Sequence, residues 1–346
     1  MRTSISFGGA GGTGEGWPEV VEYVREAERL GVDFAWSAEA WGQDAVTSVA
    51  YLAAVTSRIR LGTGIMQITA RVPPMIAMTA LSLDRMTGGR FVLGLGVSGP
   101  QVVEGMHGVR FARPVERLRE TLDIVEMALR GERIAYRGRH FTLPLPAGEG
   151  KSIALSLPSR PELPVYLATL APRSLELTGE RAQGWLGTSF VPDRADVFFE
   201  PLARGAARAG RALSDLDLQV GGRLRITDDV EETVAKLKPA MAFQLGAMGS
   251  ATTNFYNDAF RRAGWEEAAR EVQRMWLERR RDGAAAAVPD DLILRSNLIG
   301  TPSMVRERIR LYRDAGVTTL RLSPIGDTVA ERLDQLGQAL DLRDAA

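Results

Sequence analysis

Short apolar runs alternate with amphipathic helical stretches along most of this 346-residue chain. Two strands joined by a crossover helix run parallel, so the alternation predicts a parallel sheet flanked by helices. Eight strands favour a closed barrel, and we predict an α/β fold of the (β/α)8 TIM-barrel class. An open, doubly wound sheet is the alternative. The runs with the length and composition of strands are residues 3–7, 34–38, 60–65, 91–97, 165–170, 185–189, 218–226 and 319–322.

The segments between the strands carry helix start and stop signals. Residues 73–86 begin with two prolines and are followed by Gly88 and Gly89, which is typical of Pro in the first helical turn and Gly beyond the end. We interpret residues 1–346 as a single barrel domain with two insertions. The first is a Pro- and Gly-rich segment at about 138–163; the second is a helical segment without a clear strand at about 228–300, between strands seven and eight.

Composition excludes several classes of function. The 43 basic and 43 acidic residues cancel, so we expect no nucleic-acid partner. There are no cysteines, which excludes thiolate catalysis and Cys-based zinc sites, and the two histidines cannot form a multi-His metal site. We therefore expect no metal. No run approaches the ~20 apolar residues that span a bilayer, and the N-terminus lacks the apolar core of a signal peptide. We expect a cytoplasmic protein without a membrane partner.

Active sites of such barrels lie at the C-terminal ends of the strands. Glu39 follows the second strand between Trp36 and Trp41. A carboxyl group partly shielded from water by aromatic rings can retain and donate a proton, although a structural salt bridge to an arginine is an equal alternative. His107 lies in a glycine-rich loop after strand four, which favours a role facing a ligand. Glu39 and His107 are therefore our candidate catalytic residues.

Two further segments lie at the same ends of the strands. Gly94 and Gly96 allow the backbone to approach a flat ligand, or merely allow neighbouring strands to pack closely. Residues 171–174, Ala-Pro-Arg-Ser, follow strand five. Pro172 suits a first helical turn, and free amides beside Arg173 are able to hold an anion. The alternative is simple capping of a surface helix.

Three segments together resemble a known family: residues 39–41 (Glu-Ala-Trp), 61–65 (Leu-Gly-Thr-Gly-Ile) and 90–101 (Arg-Phe-Val-Leu-Gly-Leu-Gly-Val-Ser-Gly-Pro-Gln). They are similar to the luciferase-like monooxygenase superfamily, in the branch that uses the deazaflavin coenzyme F420 and includes methylenetetrahydromethanopterin reductase. Residues 103–108 and 175–180 extend the match. The resemblance covers about residues 1–240 and 297–340, and the segment at 90–108 is its most specific part.

The resemblance implies a planar deazaflavin at the barrel mouth. It places a backbone bulge after strand three, which in several members contains a cis peptide not preceding proline. It also places the phosphate-bearing chain of the cofactor near residues 170–173. Ala171 stands where family members commonly have Gly, and Met106 where an aromatic residue is common. The implied cofactor contacts are Gly64, Ile65, Met66, Gly96, Val97, Ser98, Leu170, Ala171, Pro172 and Arg173; the implied substrate contacts are Gly11, Gly12, Trp41 and Met106.

We therefore predict an oxidoreductase that transfers a hydride between F420 and a small organic substrate with a C=N, C=C or C=O bond. The alternatives are an FMN-dependent monooxygenase that uses oxygen and a barrel that binds a flavin without catalysis. The longer anionic tail of F420 separates it from FMN, and Arg71, Arg173 and Arg295 are candidates to bind that tail.

We also predict a homodimer. The family usually pairs, and one helix is overloaded with large apolar residues, although burial against the barrel also explains them. These residues are Met75, Met78, Leu81 and Leu83.

Overall fold

Eight parallel strands form a closed barrel in the computed structural model, which describes residues 1–8 and 16–345. Each strand pairs with the next, and the last pairs with the first. The predicted (β/α)8 barrel is confirmed, while the predicted substrate residues Gly11 and Gly12 lie outside the described residues. The strands are β1 (Arg2–Gly8), β2 (Phe34–Ala38), β3 (Arg60–Thr63), β4 (Phe91–Gly96), β5 (Val165–Ala168), β6 (Gly184–Leu186), β7 (Asp217–Ile226) and β8 (Thr319–Pro324).

Helices surround the barrel, and several begin with proline in their first turn, where its fixed φ fits and its missing N–H is not needed. Within the described residues, no helix is long and apolar enough to cross a membrane. The helices are α1 (Trp17–Arg29), α2 (Ala45–Ala53), α3 (Pro73–Met86), α4 (Pro100–Gly105), α5 (Pro114–Leu129), α6 (Pro172–Arg181), α7 (Asp196–Arg208), α8 (Val230–Ala247), α9 (Phe255–Phe260), α10 (Glu266–Leu277), α11 (Arg281–Ala286), α12 (Asp290–Ser296), α13 (Pro302–Asp314) and α14 (Val329–Asp344).

Helices α8 to α12 form the predicted insertion between β7 and β8 and enclose an apolar cluster of their own. The expectation of no strand in this segment was wrong, because Leu298–Gly300 pairs in parallel with β7. Three buried residues are too few to show a strand pattern. The Pro- and Gly-rich segment begins within a hairpin of two short strands, Tyr136–Arg137 and Thr142–Leu143, so its first residues are not all loop. The interpretation of the chain as a single domain stays a prediction.

The N-terminal end of the barrel is closed by a buried hydrogen-bond network around Asp217. Its carboxylate accepts hydrogen bonds from the Tyr166 hydroxyl at 2.8 Å and the Thr319 hydroxyl at 2.7 Å. It also accepts one from Gln219 Nε2 at 2.8 Å and pairs with Arg2 at 2.9 Å. Burial raises the pKa of Tyr166 and the nearby Asp217 charge raises it further, so the phenol remains a donor. This packed end leaves the opposite end of the barrel for a ligand.

Candidate active site

A cavity of about 350 Å³ lies at the C-terminal ends of the strands. We call it the ring cavity. It is lined mainly by apolar and small side chains with a few polar groups, which is typical of a cofactor site. Among the residues predicted for the site, those that line it are Glu39, Trp41, Gly64, Ile65, Gly96, Val97, Ser98, Leu170 and Ala171.

The chain bends after β3, as the family resemblance implied. The peptide bond between Gly64 and Ile65 is cis, and the Gly64 amide donates to the Ser37 carbonyl at 2.7 Å. Ile65 lines the ring cavity. Met66, in contrast, is fully buried in the hydrophobic core and does not line the cavity. The structure therefore does not bring Met66 to the site that the sequence proposed for it.

The two glycines of β4 have different neighbours. A side chain at Gly94 would overlap the backbone carbonyl of Thr63, so this glycine serves close packing of adjacent strands. A Cβ at Gly96 would lie 2.9 Å from Ile65 Cδ1, the end of a flexible side chain. Gly96 therefore leaves the space that the Ile65 side chain occupies at the cavity wall.

Glu39 lies at the edge of the ring cavity and forms the salt bridge that the sequence left as an alternative. Arg71 Nη1 donates to its two carboxylate oxygens at 2.7 and 3.0 Å, and the Ala45 amide donates at 3.2 Å. The side chain of Glu39 is 8% exposed. Arg71 is thus held by Glu39, which argues against its proposed contact with an anionic tail. The catalytic assignment of Glu39 stays a prediction.

His107 and Met106 follow helix α4 and do not line the ring cavity. His107 Nδ1 lies 2.9 Å from the Thr69 hydroxyl. The Met106 side chain is 61% exposed. The structure therefore does not bring either residue to the ring cavity, and their proposed roles rest on the sequence alone.

The segment after β5 lies beside the cavity and leads into α6. Ala171 caps α6 without a side-chain hydrogen bond. Pro172 has no N–H and the Ser174 amide donates to the Ala171 carbonyl, so among the described residues the Arg173 amide is the first-turn donor left for an anion. Pro172 and Arg173 are exposed and do not line the cavity. Arg262, from the insertion, donates to the Leu170 carbonyl at 2.7 Å and holds this segment in place.

The third arginine proposed for the anionic tail lies on the insertion. Arg295 pairs with Asp193 at 3.1 Å and with Asp291 at 3.5 Å. It does not line the ring cavity. The structure therefore does not gather the three arginines at one anion site.

The insertion supplies cavity residues that sequence reasoning missed. Three residues of the insertion line the ring cavity: Met248 at the end of α8, and Phe255 and Tyr256 of α9. Asn254 caps α9 by accepting a hydrogen bond from the Tyr256 amide at 3.1 Å. Burial raises the pKa of the Tyr256 hydroxyl, and the nearby Arg321 partly offsets this. In the sequence, the two adjacent aromatic residues after Asn254 were the feature that could have indicated a ligand site. The spacing of apolar residues, however, does not predict that the insertion lies over the barrel mouth.

The family follows from comparison with known proteins. The family model described as luciferase-like monooxygenase matches residues 1–319, and the chain belongs to this family. A Mycobacterium tuberculosis protein, provisionally named a coenzyme F420-dependent oxidoreductase, is 39% identical over 307 residues, covering 86% of this chain and 88% of that protein. The 5,10-methylenetetrahydromethanopterin reductase of Archaeoglobus fulgidus is 26% identical over 324 residues, covering 93% of this chain and 94% of that enzyme.

A solved structure supports the same fold. The coenzyme F420-dependent tetrahydromethanopterin reductase from Methanopyrus kandleri superposes with a TM-score of 0.79 at 23% identity, covering 98% of this chain and 97% of that chain. The resemblance identified from residues 39–41, 61–65 and 90–101 is thereby confirmed.

Proposed function

We propose that this protein is an F420-dependent oxidoreductase that transfers a hydride between F420 and a small organic substrate with a C=N, C=C or C=O bond. The observation that carries the proposal is the ring cavity, whose apolar wall at Ile65 lies beside an α6 N-terminus without a side-chain cap. The relative from Mycobacterium tuberculosis, similar over most of its length, is named for the same cofactor. Bound F420 supplies a hydride carried on a ring carbon.

The residues of the cavity fit a planar ring with an anionic chain. Ile65, Val97 and Ala168 offer an apolar surface, and Gly96 allows the Ile65 side chain to lie against the strand. An anionic group is stabilised at the N-terminus of a helix, and Ala171 places that end of α6 at the cavity. A water-poor, apolar wall favours direct transfer to a substrate held above the ring.

Proton handling is assigned to Glu39 in this proposal, because its carboxylate lies at the cavity edge. Arg71 and the Ala45 amide fix the orientation of that carboxylate. His107 is the second candidate for proton transfer. Because it does not line the ring cavity, a proton would have to pass between His107 and the cavity by way of the Thr69 hydroxyl, which lies 2.9 Å from Nδ1.

The cofactor is tested by isothermal titration of the purified protein with F420 and with FMN. We expect F420 to bind at least ~10-fold more tightly, in keeping with the cofactor for which the Mycobacterium tuberculosis relative is named. Tighter binding of FMN would favour the monooxygenase alternative instead.

Turnover is tested by mixing the protein with reduced F420 and a panel of imines and enones. If the protein binds F420 but none of these compounds oxidises it, a non-catalytic barrel is favoured.

We also propose a homodimer that pairs through the outer face of α3. Met75 and Met78 are 49% and 42% exposed, whereas Leu81 and Leu83 are buried against the barrel. We expect Met75→Glu combined with Met78→Glu to give a monomer in sedimentation experiments at micromolar concentration, because charge opposes burial of this face. Met304→Glu on α13, also 42% exposed, is the matched control. A wild-type monomer would contradict the proposal.

The cytoplasmic location expected from the sequence stays a prediction.

A further inference from the structure

Two more pockets continue the ring cavity across the barrel mouth. The first, which we call the middle pocket, has a volume of about 730 Å³ and shares Trp41, Met248 and Tyr256 with the ring cavity. The second, which we call the arginine pocket, has about 180 Å³ and shares Arg223 and Gln244 with the middle pocket. Shared wall residues make the three spaces neighbours in one groove.

The arginine pocket contains two guanidinium groups from adjacent strands. In the parallel register, Gly221 of β7 lies beside Arg321 of β8, and Arg223 lies beside Ser323. Residues two apart on a strand point to the same face, so Arg223 and Arg321 both face the pocket that they line. Both arginines therefore line the pocket that lies beyond the middle pocket as seen from the ring cavity.

Among the described residues, neither of these two arginines has a negative partner. Arg321 Nη2 donates to the Gly187 carbonyl at 2.8 Å, and the Arg223 guanidinium has no hydrogen-bond or ion-pair partner within residues 1–8 and 16–345. In that same part of the chain, no carboxylate forms an ion pair with either arginine. Burial lowers the pKa of Arg321, which reflects the cost of an uncompensated cation.

The remaining walls of the arginine pocket suit a small anion. Its other polar residues are neutral: Gln244 Nε2 donates to the Ser189 hydroxyl at 2.9 Å, and Asn297 Oδ1 accepts from the Arg223 backbone amide at 2.8 Å. The middle pocket, in contrast, is mainly apolar, with Leu237, Phe243 and Ile293 among its residues. The groove thus joins an apolar passage to a cationic end.

We propose that the substrate of this enzyme carries a carboxylate or phosphate group that Arg223 and Arg321 bind in the arginine pocket. Its apolar body occupies the middle pocket, and its reducible bond reaches the ring cavity. Guanidinium groups bind carboxylates and phosphates alike through charge-assisted hydrogen bonds, so the same pocket suits either group. This inference rests on the proposed F420-dependent function, because that function places the reacting bond at the ring cavity.

The test is isothermal titration of the full chain with hexanoate, hexyl phosphate and neutral 1-hexanol. We expect both anions to bind and 1-hexanol to bind at least ~10-fold more weakly, in keeping with loss of a charged hydrogen bond. Whichever of hexanoate and hexyl phosphate binds with the higher affinity shows whether the pocket prefers a carboxylate or a phosphate. Arg223→Gln is expected to weaken anion binding ~10-fold or more, while Arg25→Gln, which removes an exposed arginine of α1, leaves it unchanged. Arg321→Lys provides a second variant that retains the charge and is expected to bind less tightly than the wild type.

The same variants are titrated with F420. Unchanged F420 affinity in Arg223→Gln, and anion binding that persists with F420 bound, support a substrate site. Competition between the anions and F420 would assign the arginines to the cofactor tail and overturn the inference, as would equal binding of 1-hexanol or no effect of Arg223→Gln. Failure of the wild type to bind F420 while anions still bind would instead count against the proposed function.

Discussion

Asp217→Ala is expected to lower the free energy of unfolding by about 3–5 kcal/mol, because it removes the acceptor shared by several buried donors, and each buried donor left unpaired costs about 1–3 kcal/mol. The substitution leaves the buried hydroxyls of Tyr166 and Thr319 without their acceptor and the Arg2 guanidinium without its carboxylate. Because natural domains are stable by only ~5–15 kcal/mol, this loss is a large part of the total. Urea denaturation followed by circular dichroism measures it.

The control for this prediction is Asp228→Ala, which removes an exposed carboxylate just beyond β7. We expect it to change stability by less than ~0.5 kcal/mol. Asp217→Asn retains an acceptor oxygen and is expected to fall between the two. A loss below ~1 kcal/mol for Asp217→Ala would show that the network contributes little to closing the barrel.

Gly96→Ala is expected to weaken F420 binding by at least ~10-fold with a small change in stability. The added Cβ lies 2.9 Å from Ile65 Cδ1, and the flexible Ile65 side chain yields by moving into the ring cavity. The displaced Ile65 side chain then occupies space proposed for the cofactor, so the substitution lowers the affinity for F420 more than the stability of the fold. Isothermal titration gives the affinity, and thermal unfolding without cofactor gives the stability.

Two companion variants distinguish this effect from general damage to β4. Gly94→Ala places its Cβ on the Thr63 backbone carbonyl, which cannot move aside, and we expect a large fall in melting temperature. Ile65→Val removes the Cδ1 atom, so it should partly restore F420 binding in the Gly96→Ala background. Equal losses of affinity and stability in Gly96→Ala, without restoration by Ile65→Val, would assign Gly96 to strand packing alone.

Much of the barrel could be predicted because its strands are buried on both faces. Such strands are continuous apolar runs, as residues 91–96 are, and the helices between them have proline and glycine at their ends. The short strand Leu298–Gly300 escaped detection since three residues do not make a pattern. Met66 was misplaced for a related reason: Met66–Gln67 is a two-residue strand paired with β4, and successive residues of a strand point to opposite faces, which so short a segment does not reveal in the sequence.

The site was less predictable because its contacts join loops that are distant in the chain. The sequence nominated Glu39 and Arg71 separately, and only the fold shows that they bind each other. The Asp217 network likewise joins β1, β5, β7 and β8, whose local sequences carry no sign of the pairing. Tyr256 reaches the ring cavity from the insertion, which is anchored across the mouth when Arg262 binds the Leu170 carbonyl.

The groove at the barrel mouth has walls from two different parts of the chain. Gly96 ends strand β4 and Ile65 follows β3, so this wall is part of the barrel itself. The facing wall belongs to α8 and α9, which fold around a separate apolar cluster. A change confined to α8 and α9 would therefore reshape the middle pocket while leaving the wall at Ile65 and Gly96 in place.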